Sequence, residues 1–235
     1  MKRIKTWESH SKINEGYIHG ISDLSRKGLE SLEGLGIPKS LNSYFTCEKN
    51  KLTSLKGGPE EVGFAFDCCN NELTSLEYGP KKVGKIYFCY SNRLTSLEGA
   101  PEEVETFMCD HNELKDLKGS PKIVEKGFTC TKNPLTSLQG APEKIGEEFS
   151  CDHFVIRNGR WGIEEWLRIL VEGDEKAKKL ILTILTEDIL DKWMLEDPTR
   201  ICNLDVTPDL KAEVIKRTGI KDLSRLGRGL KSGLV

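Results

Sequence analysis

Between residues 45 and 154 the chain repeats one order of apolar and polar positions: an aromatic, any residue, Cys, two variable positions, Asn, and two leucines three apart. Phe45-Thr46-Cys47, Phe66-Asp67-Cys68, Tyr87-Phe88-Cys89, Phe107-Met108-Cys109, Phe128-Thr129-Cys130 and Phe149-Ser150-Cys151 open six copies, whose cysteines step by 21, 21, 20, 21 and 21 residues. A fixed period of this length predicts a solenoid, each copy adding one coil that buries its apolar edge against the next. Strand alternation sends Phe107 and Cys109 inward and Met108 and Asp110 outward. Asn50, Asn71, Asn92, Asn112 and Asn133 follow each Cys by three residues, where the chain turns out of the strand. A buried Asn there can satisfy backbone groups of its own coil and of its neighbour. The leucine pairs, from Leu52 and Leu55 to Leu135 and Leu138, fill the far side. Gly57, Gly99, Gly119 and Gly140 permit a tight bend, and Pro59, Pro80, Pro101, Pro121 and Pro142 stiffen the return. Tyr78 stands where one of these glycines is expected.

The pattern decays at both ends. Leu29-Glu30-Ser31-Leu32-Glu33-Gly34 is an irregular copy, and residues 1–28 are expected to cap the core. Downstream, Phe154 replaces the expected Asn, which marks the last coil of a solenoid over 29–154. From Trp161 the period becomes helical, with Ile163, Trp166, Leu167 and Leu170 in one stripe and Leu180, Ile181, Ile184 and Leu185 in another. A helix is expected from Thr186 to about Asp197, a second from Thr207-Pro208 to Gly219, and a short third from Ile220 to about Leu226. Residues 155–235 therefore read as a small C-terminal helical domain, with Trp161, Trp166 and Trp193 in its core and at its seam with Phe154.

The unit Val104-x-x-Phe107-x-Cys109-x-x-Asn112-x-Leu114-x-x-Leu117 resembles the leucine-rich repeat core, with Phe and Cys at the two central inward positions. The short unit with its Pro looks like the bacterial class of these repeats, and the Leu-Thr-Ser-Leu-x-Gly-x-Pro wording looks like leucine-rich proteins of bacteriophage genomes. The resemblance implies an α+β fold: a leucine-rich-repeat solenoid with a parallel β-sheet on its concave face, followed by the helical domain. It implies a scaffold and no single function. Bacterial effectors with similar repeats can carry a C-terminal ubiquitin-ligase domain with a catalytic Cys, but residues 155–235 are too few for one and hold only Cys202.

Composition adds exclusions. A formal net charge of −2 with 31% charged residues implies neither a general polyanion partner nor a membrane surface. No apolar run approaches membrane-spanning length and the start lacks a signal-peptide core, so a cytoplasmic protein is expected, in the host cytoplasm if the source is a phage. Of eight cysteines, six occupy one recurring slot. They should form a column of buried thiols stepping roughly 4.8 Å per strand, which suits neither disulfide pairs nor four zinc ligands around one point. No cofactor or metal is expected. Cys69 and Cys202 stand outside the column, and Cys69 should face solvent. Cys109-Asp110-His111 and Cys151-Asp152-His153 mimic catalytic vocabulary, but an inward thiol in apolar surroundings is inert, so no enzyme is expected.

The outward strand positions hold the candidate chemistry. One column reads Thr46, Asp67, Phe88, Met108, Thr129, Ser150; the next reads Glu48, Cys69, Tyr90, Asp110, Thr131, Asp152; the third reads Lys49, Asn70, Ser91, His111, Lys132, His153. Phe88, Tyr90 and Met108 are large side chains that the scaffold does not require outside. With Asp67, Cys69, Asp110, His111 and Lys132 around them they have the composition of a protein-binding hot spot. Residues 209–235 carry seven basic against three acidic side chains. Lys216, Arg217, Lys221, Arg225 and Arg228 are the candidate nucleic-acid contacts there, beside a faint helix-turn-helix turn broken by Gly227 and Gly229. The leading expectation is a protein that binds and blocks a host protein, in particular one of antiviral defence. The alternatives are a structural or virion-associated protein, for which self-association is possible, and a nucleic-acid accessory protein using the basic tail.

Overall fold

A computed structural model describes residues 22–162, 165, 166, 169, 174–181, 183 and 184. The coils contribute paired short strands: β1 (Ser40–Leu41) and β2 (Phe45–Thr46), β3 (Glu61–Val62) and β4 (Ala65–Asp67), β5 (Lys82–Val83) and β6 (Ile86–Phe88). They continue with β7 (Glu103–Val104) and β8 (Thr106–Met108), β9 (Ile123–Val124) and β10 (Gly127–Thr129), β11 (Lys144–Ile145) and β12 (Glu148–Cys151). The second strands of the pairs form one front sheet, ordered β2-β4-β6-β8-β10-β12 and parallel throughout, closed by an antiparallel strand β13 (Phe154–Ile156). The chain is thus a parallel-strand β-solenoid. Parallel register puts like residues side by side, which is why one short motif can be copied from coil to coil.

The expected interior is there. Phe45, Phe66, Tyr87, Phe107, Phe128 and Phe149 are buried in one column with centroids 5.8, 4.9, 5.2, 5.7 and 5.8 Å apart, stacked except that Tyr87 is tilted by 51° against Phe66. Burial of each ring contributes about 1.5–3 kcal/mol before entropy is counted. The six column cysteines are buried free thiols, and those of the inner coils direct Sγ at a carbonyl of the next coil, as Cys68 does to Phe88 at 3.4 Å. The Asn row is a two-sided clamp. Asn71 Nδ2 donates to Cys47 O (3.0 Å) in the preceding coil and Cys68 O (3.1 Å) in its own, while Oδ1 accepts from Leu52 N–H (3.0 Å). Asn92, Asn112 and Asn133 repeat the pattern. An amide supplies two N–H donors and an acceptor oxygen at once, where a hydroxyl has a single O–H to donate.

At the far bend Gly99 has φ +103°, and a Cβ there would lie 2.2 Å from Leu76 O. Tyr78 occupies the equivalent slot in a left-handed conformation (φ +65°) and is 60% exposed. The repeat path also reaches back before the irregular copy. Asp23 bridges to Thr46, and Leu24 N–H donates to Thr46 O at 2.8 Å. Asn50 clamps this stretch as the later Asn residues do theirs, accepting from Lys27 and Leu29 N–H at 3.0 Å.

One coil is shorter. Two residues separate Val104 from Phe107, whereas three separate Val62 from Phe66 and Val83 from Tyr87. The front register is kept across it, Tyr87 facing Phe107. The slack is taken from the back, where the strands fall into two separate three-stranded sheets, β1-β3-β5 and β7-β9-β11. Glu105 fills this corner, reached by Lys85 Nζ at 2.6 Å and Lys126 Nζ at 2.9 Å.

At the C-terminal end Phe154, in the Asn slot, turns the chain back as β13, which covers the edge of β12. Trp161 lies on Phe149 (4.3 Å between centroids), donates Nε1–H to Pro142 O (3.0 Å) and meets Trp166 edge-on (5.3 Å). The seam thus runs through Phe149, which Trp161 covers and which itself meets Phe154 at 5.6 Å, whereas the partner expected for the tryptophans is Phe154. Helix α1 (Glu175–Ile181) starts at Asp174, whose carboxylate accepts from Lys176 and Ala177 N–H at 2.8 Å. It buries Leu180 and Ile181, and Thr183 Oγ1 accepts from Leu138 N–H of the last coil (2.7 Å). The helices expected beyond Thr186, and Trp193 with them, lie outside the described residues, as do residues 1–21 of the expected cap.

Candidate functional site

The exterior of the front sheet is set by the same register as its interior. Asp67 lies opposite Phe88, and Phe88 opposite Met108, on neighbouring strands β4, β6 and β8. All three are half-buried, as is Tyr90, two residues beyond Phe88 on the same face. The Phe88 and Tyr90 rings meet edge to face with centroids 6.3 Å apart. The structure thus brings the expected central residues together.

Of the surrounding residues, Asp110 serves the scaffold, and His111 and Lys132 lie at the edge. Asp110 is taken up by the next strand, accepting from Thr129 Oγ1 (2.5 Å), Thr131 Oγ1 (2.6 Å) and Thr131 N–H (2.7 Å). His111 and Lys132 are exposed but sit at a left-handed turn position (φ +53° and +54°) shared with Lys49, Asn70 and Ser91. They therefore edge the strand face rather than belong to it, and Lys132 N–H is fixed by Asp152 Oδ1 at 2.7 Å.

Cys69 corrects the expectation that it faces solvent: it is 0% exposed. Its position does point out of the core. The cause is the size of its neighbours, since a thiol one slot from Tyr90 and two residues from Asp67 is overhung by both. Asp67 Oδ1 accepts from Cys69 N–H at 2.9 Å, and the thiol touches the Asp67 carboxylate and the Tyr90 hydroxyl. Cys69 is therefore the floor of the patch and not a contact residue.

Alternation also places on this face a column that the sequence reading passed over, the residues just before each inward aromatic. Ile86 faces Ala65 on one side and Thr106 on the other, and Tyr44, 41% exposed, extends the row. Phe64, 49% exposed, stands at the corner beside Ala65. The apolar area is thus wider than Phe88, Tyr90 and Met108 alone, running from Tyr44 and Phe64 across Ile86 to Met108. The signal was available in the alternation itself, which makes the residue before the aromatic as outward as the one after it.

Comparison with protein-family models, with curated proteins and with solved structures gives no match. Function has to be read from the side chains.

Burial holds Asp67 above the usual carboxylate range, opposed by its bond from Cys69 N–H. The Tyr90 phenol is pushed up to about 12, first by charge on Cys69 and then by its own partial burial and by Asp67. Desolvation raises every described thiol, Cys69 included, with Asp67 adding to the shift there. In Cys109-Asp110-His111 the thiol is buried, Asp110 is committed to Thr129 and Thr131, and His111 is outside. The tripeptide assembles no nucleophile and base. Among the described residues no group of three or more His, Cys, Asp or Glu is placed to hold a metal ion, and no helix is long and apolar enough to cross a membrane. Cys202 and the candidate nucleic-acid contacts Lys216, Arg217, Lys221, Arg225 and Arg228 lie outside the described residues.

Proposed function

We propose that the chain is a leucine-rich-repeat protein that acts by binding another protein, without catalysis, through the exterior of its front sheet. The repeat class is supported by one parallel front strand per coil and by the buried Asn row that ties each coil to the last. The observation that carries the binding role is the run of Tyr44, Ile86, Phe88, Tyr90 and Met108, with Phe64 at its corner, on a face whose folding does not call for them. The later rungs put Thr129 and Ser150 in the Phe88 column and Thr131 and Asp152 in the Tyr90 column, and they keep the same backbone. Large half-exposed aromatics beside polar neighbours supply contact area at low entropic cost. The likeness of the repeat to phage-encoded proteins makes a host protein, first of all a component of antiviral defence, the partner class to test. Capture from host lysate should return one protein at fixed stoichiometry with the full chain. It should be lost with Phe88→Ala/Tyr90→Ala while the melting temperature stays within a few degrees. Undiminished capture by the double variant would move the interface elsewhere.

A further inference from the structure

The centre of the patch has a definite chemistry. Asp67 and Phe88 are ladder neighbours, Tyr90 overhangs the same point, and buried Cys69 forms the floor. Glu48, the rung before Cys69 in its column, acts electrostatically on both Asp67 and Tyr90. The nearby cations attend to Glu48, with Arg26 Nε and Lys49 Nζ each 3.7 Å from it. Among the described residues no basic side chain is ion-paired with Asp67, although Lys49 is close enough to act on it weakly. A half-buried carboxylate thus lies beside Phe88 and Tyr90 with no ion pair among the described residues. The backbone bond from Cys69 N–H fixes one of its oxygens.

Resting on the reading of this face as a protein-binding surface, we infer that Asp67, Phe88 and Tyr90 form a receptor for an arginine side chain of the partner. A guanidinium is planar and weakly hydrated, so it stacks on a ring and at the same time offers a fork of N–H donors to a carboxylate. A lysine ammonium is more strongly hydrated and gains less from the rings. A purely apolar anchor would strip water from Asp67 with nothing in return, and an acidic one would meet Glu48 and Asp67 as like charges.

The test needs no partner. N-acetyl-arginine methylamide is titrated into the full-length protein carrying ¹³C-labelled Phe and Tyr, followed by ring resonances, with the neutral citrulline isostere in parallel. The arginine probe should give saturable shifts at Phe88 and Tyr90. Citrulline should bind about tenfold or more weakly, as loss of a charge-assisted hydrogen bond implies. Asp67→Asn, which can still accept from Cys69 N–H, should weaken the arginine probe to the same extent while keeping the native spectrum elsewhere. Equal shifts from arginine and citrulline, or silent Phe88 and Tyr90 rings, would overturn the inference on the unaltered protein. If the rings are silent yet capture is still lost in Phe88→Ala/Tyr90→Ala, the face binds a partner by other chemistry. Arginine binding with undiminished capture would overturn the protein-binding reading instead.

Discussion

The two faces of the front sheet are made by the same strands and obey opposite rules. Inside, position by position, the coils repeat: ring on ring, thiol beside thiol, amide clamping amide. Outside, the same register juxtaposes Asp67, Phe88, Met108 and Thr129, four unlike side chains in a row. The interior is uniform because each coil must fit the next, and close packing punishes any change of volume. The exterior is free to vary, so its departures from uniformity carry the information about partners.

The sharpest way to break that comparison is to truncate one ring on each side. Phe107→Ala removes a fully buried member of the stack and should cost about 3–5 kcal/mol in urea unfolding. Phe88→Ala, one strand away and half-exposed, should cost about 1 kcal/mol or less. Equal losses would mean that the outer ring is part of the scaffold after all.

A smaller effect lies where the interior itself departs from the rule. Tyr87 puts a hydroxyl into the stack, and among the described residues that hydroxyl has no hydrogen-bond partner. It points toward Gly79, where an added Cβ would come within 2.7 Å of it. Three coils with Phe in the stack carry Ala100, Ser120 and Ala141 at the matching site before Pro, while the Phe66 coil carries Gly58 there. Tyr87→Phe should therefore stabilise the protein by about 1 kcal/mol, and Gly79→Ala should be better tolerated in that background than in the native chain. Additive effects of the two substitutions in thermal melts would disprove the coupling.

The smallest concerns charge on the outer face. Asp67 has a folded-state pKa above its unfolded value, so the folded chain holds this proton more tightly than the unfolded one. Its ionisation therefore lowers stability as pH rises from the ordinary aspartate range through the raised value, with no further change above it. Asp67→Asn should raise the melting temperature at neutral pH, and the gain should shrink as pH falls through the carboxylate range. A gain independent of pH would assign the effect to packing.

Most of the scaffold was legible because its determinants are local and repeated: Phe, Cys, Asn and Leu at constant offsets specify inward positions wherever they recur. The outer face was legible only in part. Alternation identified Phe88, Tyr90 and Met108, and applied to the residue before each aromatic it would also have found Ile86 and Tyr44. It could not see that Cys69 would be covered, because burial of a small outward side chain depends on its neighbours on the face, here Asp67 in its own coil and Tyr90 twenty-one residues away in sequence. Nor did the residues Lys49, Asn70, Ser91, His111 and Lys132 betray a left-handed turn, since they share no chemistry and none is Gly.

The coil that lacks one residue has a mechanical consequence. In a linear array, stability is a sum over neighbouring coils, and cooperativity is lost first at the weakest joint. The back ladder is interrupted between β5 and β7, so the two halves of the rod are joined there by one ladder fewer than elsewhere. Phe88 and Met108 stand on opposite sides of that joint. A ligand gripping both would span that joint, and its binding would add a cross-link between the two halves where the back ladder supplies none.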